Sequence, residues 1–408
     1  MLNLIWSMFF LLAFVAALYQ HVFLENSAIW TELVNGTFAS AKTAFQICLN
    51  LTGMLCLWLG LLKIAEKSGL TEVLAKALSP LFRRIMPEIP VGNSALGSIV
   101  MNIAANVLGL DNAATPMGIK AMEQMQQLNP HKDKASRAQV LFMVINASAV
   151  TLIPITILMY RAELGATNPS AVFIPILLAT SLSTLSGFLA VAWVQNLHIW
   201  NRVVMLYIGG FIVFILSITL YFLSLDTDER LQISAMGGNF VLFSVIVGFI
   251  FWGLVKRINV YESFIQGAKE GFEVAIRIVP YLVAMLVAIA VFRISGCLDY
   301  MVLATEKLFA LVGANTDFVP ALPTAIMKPL SGSGARAMMI ETMQTYGADS
   351  FPAFVSCVIQ GSTETTFYVL AVYFGAVKIS KVGAALPCAL FADFIGIVAS
   401  ISLAYVFY

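Results

Sequence analysis

At 408 residues, 60% of them apolar and 11% charged, the chain has less than half the roughly 25% of charged residues found in a soluble domain. A mean hydropathy of +0.89 and a net charge of +1 exclude a soluble globular enzyme and leave no bulk basic surface for nucleic acid. The five cysteines are odd in number and scattered through apolar sequence, which argues against a disulfide framework.

A membrane helix needs about 20 mostly apolar residues. Spans are predicted at 2–23, 43–62, 138–160, 171–194, 203–225, 236–255, 274–292, 351–377 and 384–406. The first has no Lys or Arg ahead of its apolar stretch, which favours a membrane helix over a cleaved signal peptide. The larger share of Lys and Arg, from Lys63 and Lys67 to Lys378 and Lys381, falls on the side of the N-terminus, whereas Arg161, Arg230, Arg293, Lys328 and Arg336 fall on the other. That bias predicts a cytoplasmic N-terminus and an outside C-terminus.

Two stretches are apolar but poorly made as spans, 92–116 and 319–336, and each is expected to enter and leave the membrane on one side as a re-entrant helical hairpin. In the first, Asn102 and Asn106 stand at i and i+4 on one helix face, with Asn112 beyond them. Such amides suit a polar neutral solute, or helix packing. Thr115-Pro116 reads as a helix start, a capping hydroxyl followed by proline. The span at 138–160 is interrupted by Asn146-Ala-Ser148-Ala-Val-Thr151 and Pro154, polar groups that either face a substrate or join helices.

In the second hairpin, Lys328 and Arg336 flank Ser331-Gly-Ser333-Gly334, where converging backbone N–H groups and a helix N-terminus favour an anion. The alternative role for the two cations is to neutralise Glu364 and Asp393. Gln360-Gly-Ser362-Thr363-Glu364-Thr365-Thr366 interrupts the middle of the span at 351–377. A carboxylate at that depth is paired, protonated or ion-bound, so Glu364 is a candidate ligand for substrate or coupling ion, or a carboxylate that locks a helix break. Asp393, inside the last span, is a second coupling candidate or a buried ion-pair partner of Lys328 or Arg336. His21, His131 and His198 lie near span ends or in loops without a Cys cluster, so no metal site is expected.

The chain repeats itself. Ala41-Lys-Thr-Ala-Phe45 matches Ala268-Lys-Glu-Gly-Phe272, and Ser68-Gly69 matches Ser295-Gly296. Ala95-Leu96 with Met101 matches Ala321-Leu322 with Met327, Gly118-Ile-Lys120-Ala-Met122 matches Gly334-Ala-Arg336-Ala-Met338, and Ile145-Asn146-Ala-Ser148 matches Ile359-Gln360-Gly-Ser362. Each repeat reads span, hairpin, span, span, and an odd number of crossings between corresponding helices inverts one repeat against the other. Inverted repeats with broken helices at matching places mark secondary transporters.

Asn102-Ile-Ala-Ala-Asn106-Val-Leu-Gly-Leu-Asp-Asn112-Ala-Ala-Thr115-Pro116-Met-Gly118 resembles the spore maturation A family. Lys328-Pro-Leu-Ser331-Gly-Ser-Gly334 with Gln360-Gly-Ser-Thr-Glu364-Thr-Thr resembles the spore maturation B family. Both belong to the Gate, or nucleoside-recognition, class, which also includes concentrative nucleoside transporters and the membrane part of the FeoB ferrous-iron transporter. The resemblance implies a fusion: an A-like half at 1–195 with one Gate repeat at about 41–195, two linking spans at 196–259, and a B-like half at 260–408 with the second. It implies an inner-membrane protein and association into homo-oligomers.

The expected fold is therefore an all-α polytopic membrane protein, with about nine transmembrane helices and two re-entrant hairpins in two inverted Gate repeats. The expected function is H+- or Na+-coupled secondary transport of a small polar solute, nucleoside-like or carrying a carboxylate, without enzymatic activity, cofactor or nucleic-acid partner. The solute is expected at the midplane, held by Asn102, Asn106, Asn112, Thr115, Asn146, Ser148, Thr151, Lys328, Ser331, Ser333, Arg336, Gln360, Ser362, Thr363, Glu364 and Thr365, with Glu364 and Asp393 serving the coupling ion. A membrane scaffold in envelope or spore-core maturation and a divalent metal-ion permease are the alternatives.

Overall fold

The computed structural model describes residues 2–90, 92–108, 111–197, 199–311, 313 and 315–408, apart from the side chains of residues 2, 111–113, 227, 228 and 231. His198 and the side chain of Asn112 lie outside the described residues. In chain order, α1 (Leu2–Phe23) and α2 (Ile29–Lys67) lead into α3 (Leu70–Ile85) and a hairpin, α4 (Ser94–Val107) with α5 (Asp111–Leu128). A broken crossing follows, α6 (Arg137–Ala147) with α7 (Ile155–Glu163), and then α8 (Phe173–Val194). Two linking helices, α9 (Arg202–Leu223) and α10 (Thr227–Val255), separate this run from a second in the same order. It comprises α11 (Val260–Ile294), α12 (Cys297–Leu311), the hairpin α13 (Leu322–Leu330) with α14 (Gly332–Tyr346), the broken crossing α15 (Phe351–Ser362) with α16 (Thr366–Ala376), and α17 (Ala385–Phe407).

Seven of the described helices, α1, α2, α8, α9, α10, α11 and α17, are long and apolar enough to cross a membrane. With the two broken crossings they account for the nine expected spans, and the protein is an all-α polytopic membrane protein. The spans expected at 43–62 and 274–292 are the apolar middles of longer helices. At about 1.5 Å per residue the 39-residue α2 is roughly 58 Å long, nearly twice a ~30 Å hydrocarbon core. Its C-terminal end is polar, where Lys63 pairs with Glu66 and, across to α11, with Glu270, each at 3.0 Å.

Two further sequence expectations change. Helix α5 starts at Asp111, not at Thr115-Pro116. Pro116 therefore sits inside the helix, past its first turn, where its ring removes one intrahelical hydrogen bond. Helices α3 and α12 were not expected; each follows a corner at Ser68-Gly69 or Ser295-Gly296. Both glycines are left-handed (φ 75° and 78°), and both serine N–H groups close the preceding helix on the carbonyls of Ile64 and Val291.

Two pairs of corresponding helices, α2–α11 and α8–α17, pack against each other antiparallel, so the two repeats are inverted. In the α2–α11 pair, Gly267-Ala-Lys-Glu-Gly271 lies directly on the backbone of α2. A Cβ on Gly271 would stand 2.7 Å from the Leu55 carbonyl oxygen and 2.8 Å from Cys56 N, while Gly60 lies against Phe264. Close backbone approach over small residues is how helices associate where lipid removes the hydrophobic drive. In the α8–α17 pair, Ser183 Oγ donates to the Ala392 carbonyl at 3.0 Å, and Gly187 and Gly396 face Ala392 and Ser183. Both broken crossings pack on the α8–α17 pair, and α7 of the first also meets α2.

Substituting Gly271→Ala is expected to lower stability by about 1–3 kcal/mol, since backbone must move to admit the methyl group. Gly53→Ala, whose Cβ would meet nothing within 4 Å, is expected to be neutral or to stabilise by up to ~1 kcal/mol. Thermal unfolding in detergent checks the pair.

Candidate functional site

The two crossings break at the same depth and complete each other's backbone. The Glu364 N–H, released by the end of α15, donates to the Ala147 carbonyl at the end of α6 (2.8 Å). The Leu152 N–H of the first break donates to Val107 at the end of α4 (3.0 Å). From α8, Thr180 Oγ1 donates to the Ala149 carbonyl at 2.8 Å and Thr184 Oγ1 donates to that of Ser148. In α17, which holds the place of α8 in the second repeat, the polar residue facing the break is Asp393, 2% exposed, whose Oδ2 accepts from Thr366 Oγ1 at 2.7 Å. The sequence suggested Lys328 or Arg336 as its partner; the direct bond is to Thr366, and Lys328 is the cation whose field reaches it. Thr363 lies beside Asp393, yet neither Thr363 Oγ1 nor Asp393 Oδ1 completes a well-aligned hydrogen bond.

A cavity of about 130 Å³ opens between the breaks and the second hairpin. Its polar walls are Thr151 and Thr156 from the first crossing, Gln360, Thr363, Glu364 and Thr365 from the second, and Lys328, Gly332 and Arg336 from the hairpin. Lys328 is 4% exposed, Glu364 faces open space, and the Arg336 guanidinium lies 5.9 Å from the centre of the Tyr160 ring. Gln360 Oε1 is buried without a hydrogen-bond partner. Buried acceptors left unpaired are costly, and here one lies on a residue of the cavity wall. Ser331 caps α14 by accepting the Gly334 N–H at 3.0 Å and lies 3.3 Å from Ser333, so these hydroxyls shape the tip without lining the cavity. Ser148 and Ser362 bond back to carbonyls of their own helices, at 2.9 and 2.8 Å.

The asparagines gather elsewhere. Asn102 Nδ2 donates to the Ala114 carbonyl (2.8 Å) and to Tyr373 Oη (3.2 Å), Tyr373 Oη donates to Asn146 Oδ1 (3.2 Å), and Asn106 Nδ2 donates to the same oxygen (2.7 Å). This network ties the first hairpin to both crossings and takes up most of these amide groups, while Asn102 Oδ1 stays buried without a hydrogen-bond partner. Thr115 stands on α5, half-buried and outside the cavity wall. Sequence reasoning missed Tyr373 because a tyrosine within Phe-Tyr-Val-Leu-Ala-Val-Tyr-Phe carries no local mark.

Both ends of the paired crossings are tied. Ahead of α6, Asp133 Oδ2 accepts from Lys381 Nζ beyond α16 at 2.7 Å, and the two loops exchange backbone bonds: Lys381 N–H to Asp133 (2.9 Å) and Ala135 N–H to Lys381 (3.0 Å). At the other end, Arg161 of α7, 2% exposed, donates to the carbonyls of Pro169 (3.2 Å) and Ala348 (2.9 Å) and to Asp349 Oδ1 (3.3 Å), ahead of α15. Asp349 Oδ2 accepts from the Thr167 N–H and hydroxyl at 2.8 and 2.7 Å. Burial alone would push the Asp349 carboxyl up, but Thr167 and Arg161 outweigh it and hold it below the usual range. The Lys381 ammonium does the same for Asp133.

The family model for nucleoside recognition, called Gate, matches residues 48–167 and 275–380, more than half of the chain. The chain belongs to the Gate family. Each matched segment holds one hairpin and one broken crossing, so the two Gate units are the halves that build the crossing. Spore maturation protein B of Bacillus subtilis (strain 168) is 48% identical over 157 residues, 38% of this chain and 86% of that protein. Spore maturation protein A of the same organism is 37% identical over 190 residues, 46% of this chain and 93% of that protein. No solved structure matches this Gate protein.

Both ties hold carboxylates whose folded-state pKa is lowered, so their contribution to stability is whole above the unfolded value of about 3.9 and is lost as pH falls through the lowered values. Thermal unfolding should show a midpoint that drops on that acid limb. Asp349→Asn should lower the midpoint at neutral pH and flatten the drop.

Proposed function

We propose that this Gate protein is a secondary transporter of a small polar organic solute carrying a carboxylate or similar anionic group, driven by H+ or Na+. The observation that carries the reading is the cavity between the two helix breaks, which places Lys328 and Arg336 opposite Gln360, Thr363 and Glu364. Lys328 and Arg336 hold the anionic group, and Gln360 with the threonines reads the polar edges. Glu364, open to the cavity, and Asp393, buried beside Lys328, are the coupling carboxylates. At about 130 Å³ the cavity is below the ~300–1,000 Å³ of clefts that hold organic ligands. A whole solute therefore enters only when the hairpins part from the crossings, as alternating access requires. Two cations on the wall disfavour a divalent metal as cargo.

The N-terminus faces the cytoplasm, the C-terminus lies outside, and the bilayer is the bacterial inner membrane. The two spore maturation relatives correspond to the two halves of this chain, joined by α9 and α10. Their names state a developmental role and no solute, which favours one second reading, a non-transporting membrane scaffold.

Proteoliposomes loaded against an imposed H+ or Na+ gradient, offered labelled dicarboxylates and nucleoside monophosphates, test the proposal. Uptake should follow the gradient in the native protein. Lys328→Gln or Arg336→Gln should weaken apparent affinity by about 2 kcal/mol, roughly thirtyfold, since each removes a charged hydrogen-bonding partner from a desolvated site. Glu364→Gln should uncouple uptake from the gradient. Uptake of no compound under either gradient would favour the scaffold.

A further inference from the structure

The ties at the two ends of the broken crossings are built alike, with Asp133 and Asp349 at corresponding places and their bases near the far ends of the crossings. Asp133 lies between hairpin and crossing in the first repeat, and Asp349 lies between hairpin and crossing in the second. Arg161 stands at the far end of the first crossing, and Lys381 just past the far end of the second. Each acid reaches the base of the opposite repeat, Asp133 to Lys381 at 2.7 Å and Asp349 to Arg161 at 3.3 Å. Because each crossing runs from an acid to a base, the two ion pairs close opposite ends of the same antiparallel pair. The cavity lies between them, beside the point where Glu364 N–H meets the Ala147 carbonyl.

The geometry points to a pair of symmetry-related gate latches, each an acid of one repeat holding a base of the other, that seal the cavity from its two sides and open in alternation. The cavity is small, about 130 Å³, and Glu364 on its wall is exposed, so closure at the two ends limits the width of access to it. The latches differ in strength. Lys381 and Asp133 are 71% and 59% exposed, where screening by water leaves an ion pair weak. Arg161 is buried at 2% and also bonds to backbone carbonyls of the loops on both sides of the contact. The ion pair at the Asp133–Lys381 end is therefore the weaker of the two, although the two loops there also exchange backbone bonds. Charged side chains are the natural choice for such contacts, because they hold in water yet release without exposing apolar surface.

This inference rests on the transport reading for its purpose, but its test needs no solute. Thr151→Cys places a reporter thiol on the cavity wall, in vesicles of known orientation, with the protein's own five cysteines setting the background rate. A membrane-impermeant maleimide is added from one side or the other. Lys381→Gln should speed labelling severalfold from the Asp133 side alone. Asp349→Asn, or the milder Thr167→Val, should speed it from the opposite side alone. The swap Asp133→Lys with Lys381→Asp should return the slow rate of the parent. Acceleration from the same side in both cases, or unchanged rates in both, would overturn the latches. One-sided acceleration without solute uptake would keep them and remove the transporter, and uptake without one-sided acceleration would do the reverse.

Discussion

A backbone N–H or C=O in hydrocarbon must find a partner inside the protein, and the architecture of this Gate protein follows from how that demand is met. Two crossings stop being helical halfway through the membrane. Each would be untenable alone. Together they find partners, because the Glu364 N–H meets the Ala147 carbonyl and because α4, Thr180 and Thr184 take up further groups of the first break. The inverted repeat supplies the second break at the right depth and direction, and the close antiparallel pairs α2–α11 and α8–α17 hold the crossings together. Irregular backbone in this setting gathers polar side chains to one point, and a cavity can exist there.

The repeats share a frame and differ in what occupies it. In the repeat register Asn102 stands where Lys328 does and Asn146 where Gln360 does, and Tyr373 falls one place from the counterpart of Tyr160. On the first side the groups are neutral and Tyr373 joins Asn102 to Asn146. On the second side the groups are charged, Tyr160 lies beside Arg336, and a cavity opens. Thr180 closes the first break by bonding to a carbonyl, whereas the second break is faced by Asp393. The frame thus holds a neutral hydrogen-bonded junction on one side and a charged cavity on the other. The first stiffens the crossing, and the second is available for chemistry.

Much of this was legible in the residues. The hairpins, the broken crossings and the inversion showed through Gly, Pro and hydroxyl residues interrupting apolar runs, since such interruptions are costly in lipid and stand out. Lys328, Arg336, Gln360, Thr363, Glu364, Thr365 and Thr151 do meet at one cavity. The fate of the asparagines was not legible, because an amide that binds a solute and one that binds a tyrosine hydroxyl look alike until the tyrosine is placed. The helix start at Asp111 was hidden by the stronger capping signal of Thr115-Pro116. Arg161 looked like a loop charge and is a buried anchor, since its three backbone carbonyl partners lie in segments whose convergence only the fold determines.

The central claim is that Lys328 and Arg336 make the cavity a binding site for an anionic solute. Ligand-dependent thermal unfolding of the purified protein tests it most directly, across nucleosides, nucleobases, amino acids, dicarboxylates and divalent metals, with and without Na+. A ligand at 100 times its Kd adds about 2.7 kcal/mol to the native state. The account predicts a rise in midpoint with an anion-bearing solute, abolished in both Lys328→Gln and Arg336→Gln. No rise with any class, or a rise indifferent to both substitutions, would contradict it.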